Sequence, residues 1–457
     1  HYSGRWHNLL RWYAAVEAII GIFGLVFQPL FEGITELAFT TLMPALGSPS
    51  AVGALKLLLS ALLILPPSVL LGMTFPLMSA GLIRMFPSLT GSSISTLYFT
   101  NSIGAAGGVI ASGFFLVGTF GLPGTILAAA LLNLIVAAVV YLATCIVHEP
   151  IPNDNTDSNE GDAQTADKTS LKPATRYDLM LLVAALTGMA SFVYEIGWIR
   201  MLSLVLGSST HSFELMLSAF IAGLAFGGLW IKRRIDTISN PTRYLAIVQI
   251  IMGFLALGTI FVFTNSFDLM GAIMKVLSRT DQGYIYFNLA SHGVALLMMF
   301  PTTFCAGMTL PLITYSLLQN GSGEKSIGTV YASNTVGAII GVVLSTHIGM
   351  PLLGLKGLIS FGAAIDLALG ATLLWITATS AQRLLPLMAI SVSVLALILT
   401  TVGIQLDPLK MASGVYRYGN LISEDKAENI FHKDGKTTSV DLVQYERGNL
   451  VIFTNGK

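Results

Sequence analysis

Pro66-Pro-Ser-Val-Leu-Leu-Gly-Met-Thr-Phe-Pro-Leu77 and Pro301-Thr-Thr-Phe-Cys-Ala-Gly-Met-Thr-Leu-Pro-Leu312 are two versions of one segment. Both place Gly-Met-Thr-x-Pro-Leu late in a long apolar run, at a constant offset from a leading proline. The likeness extends outward. Tyr98, Asn101, Gly104, Gly108, Gly121, Leu122 and Gly124 recur as Tyr331, Asn334, Gly337, Gly341, Gly354, Leu355 and Gly357. Upstream, Arg11, Val16, Glu17 and Gly21 meet Arg243, Val248, Gln249 and Gly253. The pattern predicts an internal duplication.

The composition says what kind of chain was duplicated. Of 457 residues, 54% are apolar and only 11% are charged, whereas a soluble domain needs roughly a quarter charged. Apolar runs near 9–29, 53–81, 93–118, 122–147, 179–206, 212–231, 244–264, 288–318, 328–349, 354–378 and 384–404 each approach the roughly 20 helical residues that cross a bilayer. The partner they require is lipid. Net charge is zero, which gives no sign of a nucleic-acid partner. Cys145 and Cys305 sit in apolar runs without metal or redox spacing and read as buried apolar residues. No zinc motif, phosphate loop or catalytic triad is present.

The expected fold is an all-α polytopic membrane protein, a duplicated major-facilitator-like helix bundle. Its parts are a first repeat at 1–147, a polar linker at 148–178, a second repeat at 179–380 and an additional helix at 381–404. Residues 405–457 open a soluble region. There, 438–445 and 450–454 read as two strands about a Gly-containing turn. The second repeat holds six runs and the first only four, which predicts about 60 further residues, forming two helices, ahead of His1. A repeat with an even number of spans keeps its orientation, so the halves should be related by an axis along the membrane normal. Lys and Arg cluster at one set of ends, including Arg84, Lys232, Arg233, Arg234, Arg243, Lys325 and Arg383. The positive-inside rule makes those ends and the linker cytoplasmic, in an inner membrane, and sends the tail to the non-cytoplasmic side.

Ionisable and polar residues inside the runs are the candidate site, because charge at the bilayer centre is costly. Tyr194, Glu195, Trp198 and Arg200 form the clearest cluster. Glu195 and Arg200 stand about 140° apart round a helix, so each needs its own partner. Two roles stay open for them: a network locking helices together, or a substrate or proton site. Arg200 has a third, snorkelling to an interface. Asp366 and its mate Asn133, Glu17 with its mate Gln249, and the pair Asn101 and Asn334 suit inter-helix hydrogen bonds at a pseudo-symmetric interface. Pro66, Pro67, Pro76, Pro301 and Pro311 are candidate helix breaks, with Thr74 and Thr309 placed to satisfy freed carbonyls. The Gly104/Gly108 and Gly337/Gly341 pairs read as close helix packing.

Tyr194-Glu195-x-x-Trp198-x-Arg200 with Leu206-Gly-Ser-Ser209, the twin Gly-Met-Thr-x-Pro-Leu segments, and Tyr98-x-x-Asn101-x-x-Gly104 with its copy at 331–337 resemble the bacterial spermidine synthase-like membrane proteins, in which a major-facilitator-like bundle is fused to an aminopropyltransferase-like domain. The resemblance implies that residues 405–457 begin such a domain. It also implies an adenosylmethionine-type cosubstrate and a small amine substrate handled in a part that lies outside this sequence. No catalytic, cofactor-binding or metal-binding residue is carried over to this chain. A transporter-like module for a small amine or other solute is the alternative.

Overall fold

The computed structural model describes residues 8–146 and 173–457. The expected linker lies outside the described residues as far as residue 172. Nine continuous helical stretches among the described residues are long and apolar enough to cross a membrane, which makes this a multi-pass membrane protein. Two of them, Pro87–Ile146 and Lys325–Thr377, run to 60 and 53 residues, more than twice what about 30 Å of hydrocarbon requires. Each contains one residue outside helical geometry, Gly121 (φ 68°, ψ −177°) and Gly354 (φ 66°, ψ −175°). A side chain is strained in that conformation and glycine is not. Shortly before each lies a five-residue π turn, Ser112–Leu116 and Ser345–Gly349.

The helices are α1 (Leu9–Leu37), α2 (Pro49–Met85), α3 (Thr90–Ala111), α4 (Val117–Ile146), α5 (Pro173–Leu206), α6 (Thr210–Lys232), α7 (Pro241–Val276), α8 (Asp281–Gln319), α9 (Lys325–Leu344), α10 (Met350–Thr377) and α11 (Leu384–Gly403). The proline positions need correcting. α2 continues through Pro66, Pro67 and Pro76, and α8 through Pro301 and Pro311, so the departures from helix lie at the glycines. Thr74 and Thr309 donate at 2.7 Å to the carbonyls of Leu71 and Ala306. Those lie one residue before the carbonyls that Pro76 and Pro311 leave unbonded.

The described residues divide into two compact units, one formed by 8–93 and 114–146, the other by 94–113 and 173–457. In the first, α1 packs on α4 and α2. A Cβ on Gly21 would stand 2.7 Å from Leu134 Cγ and 3.0 Å from the Ala130 carbonyl, so the helices touch along a glycine. In the second, α7 packs on α10 and α8, and a Cβ on Gly253 would stand 2.6 Å from Leu367 Cγ and 3.1 Å from the Ala363 carbonyl. The second unit adds α5 against α9 and α10, and α6 against α8. Its core runs through Trp198, Phe263, Met298 and Leu358. Cys305 is buried, whereas Cys145 is exposed on α4, against expectation.

After α11, Asp407 accepts hydrogen bonds from the Leu409 and Lys410 N–H groups and starts a short helix, Pro408–Ala412. The tail then forms a three-stranded antiparallel sheet, β1 (Ala427–Asp434), β2 (Ser439–Tyr445) and β3 (Leu450–Thr454), ordered β1-β2-β3. The expected pair is present as β2 and β3. β1 is additional and carries a bulge between Asn429 and Phe431.

Candidate functional site

Helix α5 carries the clearest predicted cluster, four of the nine polar candidates, and its periodicity sorts them. Tyr194 and Trp198, four apart, share one buried face with stacked rings, centroids 5.2 Å apart. Tyr194 donates its hydroxyl to Asp366 Oδ2 at 2.6 Å, and Trp198 donates its indole N–H to Thr259 Oγ1 at 2.9 Å. Asp366 is wholly buried and its Oδ1 has no hydrogen-bond partner among the described residues. One turn of α7 away from the Gly253 contact, Gln249 donates to Thr187 at 2.5 Å, leaving its own carbonyl oxygen unpaired. The result is a polar seam through α5, α7 and α10. A buried hydrogen bond to a carboxylate contributes about 1.5–3 kcal/mol, and losing one partner costs a similar amount.

The other predicted residues do not join this seam. Glu195 is half-buried, and its carboxylate has no hydrogen-bond or ionic partner among the described residues. Asn334 donates to the Ala184 carbonyl at 3.0 Å, tying α9 to α5. Asn101 is exposed on α3. In the first unit, Glu17 is buried and hydrogen-bonded to Tyr13, four residues before it on α1, and Asn133 is half-buried on α4.

Arg200 belongs to a different constellation, at the far end of α5. Its guanidinium donates to the Thr437 carbonyl and, at 3.4 Å, to Ser439 Oγ, both in the β-sheet region. Beside it, Asp434 Oδ2 accepts the Leu355 N–H at 3.0 Å, immediately after the Gly354 break. Lys436, in the β1–β2 turn, bonds His347 of the second π turn at 2.6 Å. Inside the sheet, Asp434 Oδ1 accepts from Ser439 at 2.6 Å and lies 3.5 Å from His432 Nε2. His432 Nδ1 donates to Asp441 Oδ1 at 2.6 Å, and Asn429 donates to the same oxygen at 3.1 Å. Hydrogen bonds to Asp434 and Asp441 push the His432 pKa up to about 10, against the opposing effect of burial. For Asp434, burial alone would raise the value, but the bonds from His432, Ser439 and Leu355 outweigh it and hold the carboxyl below its usual range.

The sheet is therefore seated on the end of α5, the π turn and the glycine break of α10. That is the end opposite the Lys232–Arg234 loop, Lys325 and Arg383. Sequence reasoning missed Asp434, Asp441 and His432. The available signal was an aspartate at position 441, on the inward face of β2 between Ser439 and Val443. Two carboxylates flank one imidazole, and the Ser439 hydroxyl is bonded to Asp434 and Arg200, so the group fits a clamp. Among the described residues no cluster of His, Cys, Asp and Glu has the geometry to hold a metal ion.

No family model matches the chain, and no curated protein or solved structure matches it. The likeness to the spermidine synthase-like membrane proteins thus rests on the motifs quoted above.

Proposed function

We propose that this chain is the membrane base of a spermidine synthase-like protein, a major-facilitator-like duplicated bundle that holds a soluble transferase-type domain against one face of the membrane. The observation that carries the reading is the seat of the sheet. Arg200, Asp434 and Lys436 fasten β1 and β2 to α5 and α10 through a guanidinium, a helix N-terminus and a π turn. A flexible tether needs none of these. The duplication is supported by the recurrence of the π turn, the glycine break and the glycine-on-leucine contact in both repeats. The positive-inside rule puts the sheet on the non-cytoplasmic side of an inner membrane, so an adenosylmethionine-type cosubstrate has to reach that side.

Two measurements test this. A reporter active only outside the membrane, fused after residue 410, should give signal, and signal from a cytoplasmic reporter instead would reverse the topology. Membranes carrying the complete gene product should transfer an aminopropyl group to a small amine, and Asp434→Asn should lower that rate while the helices stay folded. Absence of amine-dependent transfer would sink the enzyme reading. One observation favours a second reading, passage of a small amine through the bundle: the unpaired Asp366 Oδ1 could accept a cationic amine. Amine uptake into proteoliposomes that survives Asp366→Asn would remove it.

A further inference from the structure

At the end of the second unit that carries the basic loops, α6 and α8 enclose a cleft of about 500 Å³. Its origin lies in the packing of the two helices. Gly227 sits on the backbone of α8 at Phe304 and Gly307 on the backbone of α6 at Leu224, while Gly223 faces the small Thr303 side chain, so the helices meet closely with no large side chain between them at these positions. The large residues beside that contact are forced outward and line the cleft. Phe226 and Phe300 stand with centroids 5.9 Å apart, Phe300 and Phe304 6.0 Å, and Trp230 and Phe304 6.0 Å edge-on. Above this aromatic wall are Arg233 and Arg234, both exposed, the second with its guanidinium 4.0 Å over the Trp230 ring. Neither arginine has a carboxylate partner among the described residues.

We infer that this cleft binds an anionic glycerophospholipid, the headgroup phosphate held by Arg233 and Arg234 and an acyl chain lying along Phe226, Phe300 and Phe304. The chemistry is matched in depth. Tryptophan and arginine at a helix end sit at the headgroup level, and the four rings continue from there along the span into hydrocarbon. Guanidinium groups without an acid to neutralise them offer a planar donor set that phosphate oxygens satisfy. A free phosphate would use the arginines and leave the aromatic wall without a role. The positive-inside rule puts these arginines in the leaflet richer in anionic lipid.

The full chain, purified in neutral detergent, is titrated with phosphatidylglycerol and, separately, phosphatidylcholine, and retained lipid is counted by native mass spectrometry. Phosphatidylglycerol should be held preferentially. At about a tenfold effect per 1.4 kcal/mol, removing two surface charges by Arg233→Gln with Arg234→Gln should weaken it about 30-fold and leave phosphatidylcholine unchanged. Phe300→Ala should weaken both lipids. If the double variant does not purify, Arg234→Gln alone should give a smaller loss of the same selectivity. Equal retention of the two lipids by the unmodified chain, unchanged phosphatidylglycerol binding in the variants, or displacement by glycerol 1-phosphate at the lipid's own concentration would each overturn the inference.

Discussion

α2 and α8 carry the same Gly-Met-Thr-x-Pro-Leu segment and live in different surroundings. In the most apolar stretch of α2, 6% of residues are buried, against 72% in α8. The difference teaches what the motif glycine is for. Around Gly72 nothing lies within 4 Å of a would-be Cβ, whereas one on Gly307 would run into the backbone of Leu224. The same holds for Gly104 and Gly108, which face open space, and Gly337 and Gly341, which sit against Ala185 and Met189 of α5. One copy of the motif uses its glycines for helix contact within the described structure, and the other does not.

The sharpest way to break that comparison is to add one methyl group to each copy. Gly307→Ala should destabilise the bundle by about 3 kcal/mol, since the clash is with backbone and cannot be relieved by a rotamer. Gly72→Ala should be neutral or stabilise by up to about 1 kcal/mol through helix propensity. Thermal melts of the two variants in the same detergent decide it: equal losses would mean that Gly72 has a close partner in the folded protein.

A second contrast lies between Asp366 and Asn133. Asp366 is wholly buried against Tyr194, while Asn133 is half-buried without a side-chain hydrogen bond among the described residues. Tyr194→Phe leaves a buried carboxylate with no donor and should cost about 2 kcal/mol. Asn133→Ala should change stability by no more than about 0.5 kcal/mol. A loss at Asn133 comparable with that at Tyr194 would show that α4 is buried by a partner as α10 is.

Much of this was legible in the chain itself. Hydropathy marked the nine long apolar helical stretches found among the described residues, dividing each of the two longest into two runs, and alternation in 438–454 marked β2 and β3. The offset of 233 between Gly121 and Gly354 marked two equivalent positions, although the breaks were expected at the prolines. Proline is a strong signal, but a membrane helix can continue past it when its neighbours accept the geometry, whereas a glycine with positive φ leaves no local trace. β1 was hidden because Glu428, Asn429, His432 and Lys433 interrupt any alternation, and a bulge shifts its register. Arg200 looked like an intramembrane charge since its partners lie more than 230 residues downstream. Such a pairing has no local signature.

The glycine breaks themselves differ in the same way as the helices around them. Leu355, after Gly354, donates its N–H to Asp434, whereas among the described residues no side chain accepts from the N–H of the equivalent Leu122. Asp434→Asn keeps the shape and turns charge-assisted hydrogen bonds into neutral ones, so it should cost about 1 kcal/mol. The loss should appear as faster amide exchange at 355–358 and in β1. Exchange at 122–125 should not move, and a change there would mean that the two breaks are coupled.

A pH dependence is confined to the same seat. His432 is held between Asp434 and Asp441, and its pKa is raised to about 10 from an ordinary value near 6.5. The folded sheet therefore keeps a proton that the unfolded segment releases. The stabilisation is complete below about pH 6.5, declines as pH rises, and is gone once pH passes about 10. Asp434 works in the opposite sense: its depressed pKa contributes above the ordinary carboxylate value and is lost as pH falls through the lowered one. Between those limits the seat is strongest on the mildly acidic side of neutrality. Amide protection in β1 and β2, corrected for intrinsic exchange, should fall from pH 6.5 to pH 10, and His432→Gln should flatten that slope. The amides after Gly121 have no such imidazole and serve as the internal reference. A slope that persists in His432→Gln would assign the dependence to another group.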